Sequence, residues 1–202
     1  MNGRNRVQTG LILTAILLLA AFLRFYQLGT LPPGLYHDEA YNGLDALSLL
    51  EGKTFPQFYE GWELYAADAH AQRPANETRF PLFFEGNYGR EPVHVYLMAL
   101  SVSLFGATPF ALRAVPAAAG VLAVFTTFLA ARTLFGEGNS GRASIRVALL
   151  AAFFLAIFYP AVHFSRFGLR AIVFVPVETM AVAFFWWAVN RYKRHESRSD
   201  FM

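Results

Sequence analysis

The feature that most constrains this chain is a series of apolar runs that carry almost no charge. After a basic start with Arg4 and Arg6, residues 7–23 hold no charged side chain, and comparable runs cover 92–112, 114–131, 147–165 and 171–190. Runs near twenty residues match the roughly 30 Å hydrocarbon thickness of a bilayer. A soluble packing would have to hide every one of these surfaces at once. Only 15% of the residues are charged, against about a quarter in an average soluble domain. The expected fold is therefore all-α, a multi-span integral membrane helical bundle read as one membrane domain.

Charge excludes another class. A formal net charge of +3 and a basic isoelectric point would suit a nucleic-acid binder, but the basic residues cluster at the ends of apolar runs rather than on a polar face. No nucleic-acid partner is expected; the lipid bilayer is. The chain has no cysteine, which removes disulfides and thiolate metal sites. The first apolar run has the layout of a signal peptide. It is long, however, lacks a small-x-small cleavage site and is followed by further spans, so it reads as an uncleaved first span. Arg24 would snorkel from its end to the outer interface.

Counting crossings sets the orientation. With five crossings and the N-terminus inside, Arg132, Arg142 and Arg146 and the tail basics Arg191, Lys193, Arg194 and Arg198 all fall outside, against the positive-inside tendency. The run from Pro92 offers about 14 helical residues, roughly 21 Å at 1.5 Å per residue. That is short for a span and suits an interfacial helix, broken by Gly106 and Pro109. Four crossings follow: span 7–28, external loop 29–91, interfacial helix 92–105, spans 112–132, 146–163 and 171–190, and a basic cytoplasmic tail 191–202. The localisation expected is a multi-pass protein of the bacterial plasma membrane, N-terminus cytoplasmic, with the loop external.

That loop concentrates the chemistry. Ten of the 14 acidic residues lie between Gly29 and Pro92, with four basic ones. Asp38 and Glu39 open an amphipathic stretch after Leu31-Pro32-Pro33-Gly34. Neighbours on a helix point about 100° apart, so the two acids do not form a dyad on one bond. Either both cap the helix, where acids suit its dipole, or one faces a site while the other caps. Arg113, Arg166 and Arg170 fall on the external side in the four-span scheme, where they either reach lipid headgroups or bind an anion. Glu91 and His94, three residues apart, could share a helical face near a divalent metal or the acceptor, though a third ligand is missing. Glu178 stands inside the last span, where Thr179 and the carbonyl freed by Pro176 offer local pairing; an acid there is a functional candidate by default.

The order of His37-Asp38-Glu39-Ala40, Gly89-Arg90-Glu91-Pro92, Phe105-Gly106, Ala111-Leu112-Arg113 and His163-Phe164-Ser165-Arg166 resembles the N-terminal part of polyprenyl-phosphate-sugar-dependent glycosyltransferases of the GT-C class. The nearest likeness is to glycosyltransferase family 39 and the protein O-mannosyltransferases, over residues 11–187. The resemblance implies a GT-C-like fold and transfer of a sugar from a polyprenyl-phosphate donor to an acceptor hydroxyl, whether on protein, lipid or glycan. Catalytic Asp38, joined by Glu39, would supply the base. Arg90, Arg113, Arg166 and Arg170 would hold the donor phosphate. The chain departs from the pattern at Arg170-Ala171, where relatives often carry an aspartate. Such enzymes have further spans downstream, so this chain reads as an N-terminal piece. A non-catalytic lipid-phosphate-binding or transporter module, or an inactive membrane fragment, would use the same arginines without needing Asp38.

Overall fold

The structure, a computed structural model, describes residues 3–51, 92–136 and 141–199. Every element among them is helical: α1 (Gly3–Phe25), α2 (His37–Leu50), α3 (Pro92–Phe105), α4 (Pro109–Leu134), α5 (Gly141–Ile157), α6 (Tyr159–Phe164) and α7 (Ala171–Ser199). Among the described residues three helices are long and apolar enough to cross a membrane: α1, α4 and the Ala171–Lys193 part of α7. The chain is a membrane protein by this measure. Its contacts divide into two units, each described by itself. Arg90, Glu91 and the loop from residue 52 onward lie outside the described residues.

The larger unit holds α1, α4 from Pro116 onward, α5, α6 and α7. Its core is built on a stripe of small residues along α5. Ser144, Ala148, Ala152 and Ala156 recur every fourth position and are all buried, so they share one face. The three alanines pack with Ile16 and Ala20 of α1 and with Val124, Phe128 and Ala131 of α4. Lipid tails are as apolar as leucine, so helices in a bilayer gain chiefly from close backbone approach, which small residues permit. Gly120 of α4 marks a close approach: a Cβ there would collide with Ser165 Oγ and lie 2.7 Å from Arg24 Nε.

Polar ties fix the helix directions in this unit. Ser144 Oγ at the start of α5 donates to the Arg132 carbonyl near the end of α4, at 3.0 Å, so the two run oppositely. Thr126 and Thr179 share a hydroxyl hydrogen bond, and Asn190 Nδ2 donates to the Thr133 carbonyl at 2.8 Å. Both residue numbers rise together, so α4 and α7 run in the same direction. Arg24, at the end of α1, reaches the Leu155 and Ala156 carbonyls at the end of α5, so α1 runs with α5. The start of α1, the end of α4, the start of α5 and the end of α7 therefore share one end of this unit.

The apolar run 146–163 is not one helix. Phe158 takes an extended conformation (φ −62°, ψ 111°) and Pro160 follows inside the short α6. Proline has no N–H, so the Ala156 carbonyl four residues earlier loses its helical donor. Arg24 Nη1 replaces it at 3.0 Å. Arg24 is accordingly buried, 1% exposed, and does not snorkel to the water edge as the sequence leads one to expect. The end of α1 is closed in turn by Arg166, whose Nη1 donates to the Leu23 carbonyl at 2.9 Å and to that of Arg24 at 3.2 Å. Cations at helix C-termini also suit the helix dipole.

The smaller unit holds residues 28–115 and Phe167–Leu169. Its core joins α2 to α3 and to the first turns of α4 through Ala46, Val95, Met98, Val102, Ala111 and Leu112. Gly106, with φ 76°, ends α3 in the left-handed region that glycine enters without a Cβ penalty. Thr108 Oγ then accepts the Ala111 N–H at 3.2 Å, and Pro109 takes the first helical position of α4, where a missing N–H costs nothing.

Replacing an exposed helical glycine by alanine stabilises by up to about 1 kcal/mol through propensity, and Gly10→Ala, which would meet nothing within 4 Å, is expected to do so. Gly120→Ala has the same propensity gain yet should lower stability by about 1–3 kcal/mol through overpacking. Thermal unfolding of both variants in one detergent compares them directly, and equal shifts would contradict this packing.

Candidate functional site

The site is built around the first turn of α2. The two acids that open this helix have opposite environments. Glu39 is fully buried, whereas the Asp38 side chain keeps 40% of its surface and lies 3.3 Å from the exposed His37 Nε2. The 100° step between helical neighbours turns one carboxylate inward and leaves the other at the surface.

Each oxygen of Glu39 has two donors. Oε1 accepts from Arg113 Nε at 2.9 Å and from the Gly168 N–H at 2.6 Å. Oε2 accepts from Arg113 Nη2 at 3.1 Å and from the Tyr36 N–H at 2.9 Å. The last is the reach-back half of a capping box, with Glu39 three residues beyond the N-cap Tyr36. Arg113 completes its own set with the carbonyls of Leu28 at 3.3 Å, Pro32 at 2.8 Å and Gly34. All five of its N–H groups are thus engaged. A buried ion pair is tolerable only when its remaining hydrogen-bonding capacity is met, and here it is met on both sides.

Gly168 ties a second strip of chain to the same place. Its N–H goes to Glu39, and its carbonyl accepts from Asn42 Nδ2 at 2.9 Å while lying 3.3 Å from His94 Nε2. A Cβ at this position would stand 3.3 Å from Glu39 Cβ and Cγ, tighter than ordinary contact, so a larger residue would press on Glu39. Tyr36 meets the Phe167 ring edge-on at 6.5 Å between centroids. On its other side α2 walls an apolar hollow of about 210 Å³, lined by Leu35, Ala40, Leu44, Val102 and Leu112 among others.

The arrangement places the sequence-derived candidates as follows. Asp38 is the accessible acid. Glu39, expected beside it as a catalytic acid, is a structural acid here, because its lone pairs are taken by four donors. Arg113, expected at a phosphate, has no N–H left to offer without breaking contacts to Glu39 or the turn after α1. Arg166 donates to three backbone carbonyls, those of Leu23, Arg24 and Tyr26, and so acts as a helix cap. Arg170 is exposed at the start of α7. His94 is buried and faces the Gly168 carbonyl, while Arg90 and Glu91 lie outside the described residues. Among the described residues no three His, Cys, Asp or Glu side chains gather as metal ligands.

Asn42, Gly168 and Arg24 were not singled out as contact residues by the sequence. The only signal for Arg24 was Pro160, which announces an orphaned carbonyl without naming its donor. Gly168, between two arginines, could be read only as a turn.

Breaking a buried pair from one side costs roughly 3–5 kcal/mol, and Glu39→Gln or Arg113→Met should each lose stability on that scale. Lysine offers a point charge in place of the planar fork, so Arg113→Lys should not rescue. The double variant Glu39→Gln/Arg113→Met should lose less than the sum of its parts, with a coupling of about 0.5–3 kcal/mol. Strictly additive losses in thermal unfolding would mean that the two side chains are not coupled.

No family model, curated protein or solved structure matches this chain, so what the site does is read from its own geometry.

Proposed function

We propose that the chain belongs to a membrane glycosyltransferase that moves a sugar from a polyprenyl-phosphate donor to an acceptor hydroxyl, with Asp38 as general base. The observation that carries this reading is the contrast between the two acids: Glu39 anchors the first turn of α2 from inside, and Asp38 is left accessible on that anchored backbone. A base must be held still and yet reach its proton. On this reading Asp38 removes the hydroxyl proton as the acceptor oxygen bonds to the anomeric carbon. The carbon–oxygen bond to the donor breaks, and the phosphate leaves with the bonding pair, inverting the sugar carbon. A cation must meet that developing charge. Arg113 and Arg166 hold carboxylate and carbonyl oxygens, so on this reading that cation is one other than these two. The apolar hollow beside α2 suits a stretch of isoprenoid chain.

Asp38→Asn should lower sugar transfer at least about 100-fold, the scale of a lost general base, while stability moves by no more than about 0.5 kcal/mol, as at other accessible positions. Transfer from a polyprenyl-phosphate sugar by the intact protein in liposomes is the measurement. Unchanged transfer in Asp38→Asn would remove this mechanism and favour a module that binds lipid phosphate without chemistry.

The orientation belongs to the same proposal: N-terminus cytoplasmic, with α1, α4, α5 and α7 crossing a bacterial plasma membrane. What supports it is the shared end of the larger unit, where Arg4 and Arg6, Arg132, Arg142 and Arg146, and Arg191, Lys193, Arg194 and Arg198 all lie at or beside helix termini. Cytoplasmic ends carry such an excess. Because the chain has no cysteine, single replacements give a clean reading with an impermeant thiol reagent. Tyr159→Cys, at a position 72% exposed, should label from outside, and Ser140→Cys and Ser197→Cys only after permeabilisation. The reverse pattern would invert the orientation.

A further inference from the structure

The ends of α4 and α7 meet along one line. Thr126 and Thr133 of α4 face Thr179 and Asn190 of α7 through a hydroxyl pair and an amide-to-carbonyl hydrogen bond. Steps of seven and eleven residues are both close to whole turns at 3.6 residues each, so these contacts mark a single seam. Arg132 stands one residue before the contact on α4, and Arg191 one residue after the contact on α7. Between parallel right-handed helices, these two offsets of about 100° turn to the same side of the seam. Both arginines are exposed, and each lies two residues short of the end of its membrane-length stretch, Leu134 in α4 and Lys193 in α7. The Arg191 guanidinium sits over the Trp187 ring, 5.5 Å from its centroid. Phe184 and Trp187 continue the stripe toward the apolar part of α7, 64% and 53% exposed, at the three- and four-residue steps of one helix face.

Two like charges turned to one side of a seam repel, and among the described residues neither arginine has a carboxylate partner. The chain cannot neutralise this end by itself. Residues 1–6, 132–146 and 191–202 bring nine lysines and arginines against three acids, Glu137, Glu196 and Asp200, and the half-charges of the helix ends offset only a fraction of the difference. We propose that Arg132 and Arg191 bind the phosphate of an anionic phospholipid of the surrounding leaflet, with an acyl chain lying along Trp187 and Phe184. The stripe decides between a lipid and a soluble anion: a free phosphate has no use for exposed aromatic rings, whereas tryptophan at a span end sits at the headgroup level. A second copy in the same orientation brings the same cations and supplies no counter-charge. The inference stands on the membrane reading alone, whichever leaflet this end meets and whether or not Asp38 is a base.

The test uses the full chain in bilayers that contain either phosphatidylglycerol or phosphatidylcholine with brominated acyl chains. Of the three tryptophans, Trp62→Phe leaves Trp186 and Trp187 as the emitters, and bromine quenching gives the relative affinity of the two lipids. Phosphatidylglycerol should bind at least about fivefold more tightly, the effect of one cation near an anionic surface. Arg132→Gln/Arg191→Gln should bring the ratio to about one, whereas Arg132→Lys/Arg191→Lys should keep most of the preference, since lysine also binds phosphate as a point charge. Arg4→Gln/Arg6→Gln removes the same charge from the same end and should leave the ratio nearly unchanged. Equal quenching by the two lipids would overturn the proposal, as would a preference that survives Arg132→Gln/Arg191→Gln. An equal loss in Arg4→Gln/Arg6→Gln would replace the site by a diffuse surface field. Loss of the preference on adding inorganic phosphate at constant ionic strength would reassign the arginines to a soluble anion.

Discussion

Backbone carbonyls at the ends of helices are the constraint on which this structure depends. Where water is scarce, each unpaired peptide group costs several kcal/mol, and a chain that breaks its helices with proline and glycine creates many of them. Three arginines answer. Arg24 closes the end of α5, Arg166 closes the end of α1, and Arg113 gathers the carbonyls of Leu28, Pro32 and Gly34. The guanidinium suits this work because its planar fork reaches several acceptors at once and stays charged. Arginines in a membrane protein suggest ligand contact, yet these three are occupied by the protein's own carbonyls and side chains.

Glu39 extends the same logic from carbonyls to a carboxylate. By accepting from Arg113, Gly168 and Tyr36 it fixes the entry to α2, the turn after α1 and the strip around Gly168 in one polar knot. Apolar contacts alone would allow α2 to rotate or slide on α3; directional hydrogen bonds do not. The result is a rigid first turn with an accessible acid on its outer side, the property a positioned base requires. The knot gives Asp38 its fixed position without touching it.

Much of the architecture was legible before any coordinate. The apolar runs announced the helices, and Gly106 with Pro109 announced the break between α3 and α4 because both residues act through the backbone. Proline at 160 was visible too, but it was read inside a continuous span rather than as the break at Phe158. The pairings were not legible. Nothing in the sequence distance between Glu39 and Arg113, or between Arg24 and Ala156, marks them as partners, since such contacts are set by which helix faces meet. Helical geometry kept Asp38 and Glu39 from converging as a dyad but left open whether both cap or one of them faces a site. Which acid faced inward depended on Arg113 and Gly168, far along the chain.

The Arg24 cap has a consequence for how the protein is made. Its acceptors on α5 stand 131 and 132 residues further along the chain. At a synthesis rate of 5–20 residues per second, roughly 7–26 s pass between the emergence of Arg24 and that of its partners. For that interval the first helix carries a charged end that has no site to enter. It must wait at an aqueous boundary, so α1 can settle into its final depth only after the ribosome has delivered α5. The order of translation is thereby written into the depth of a single side chain.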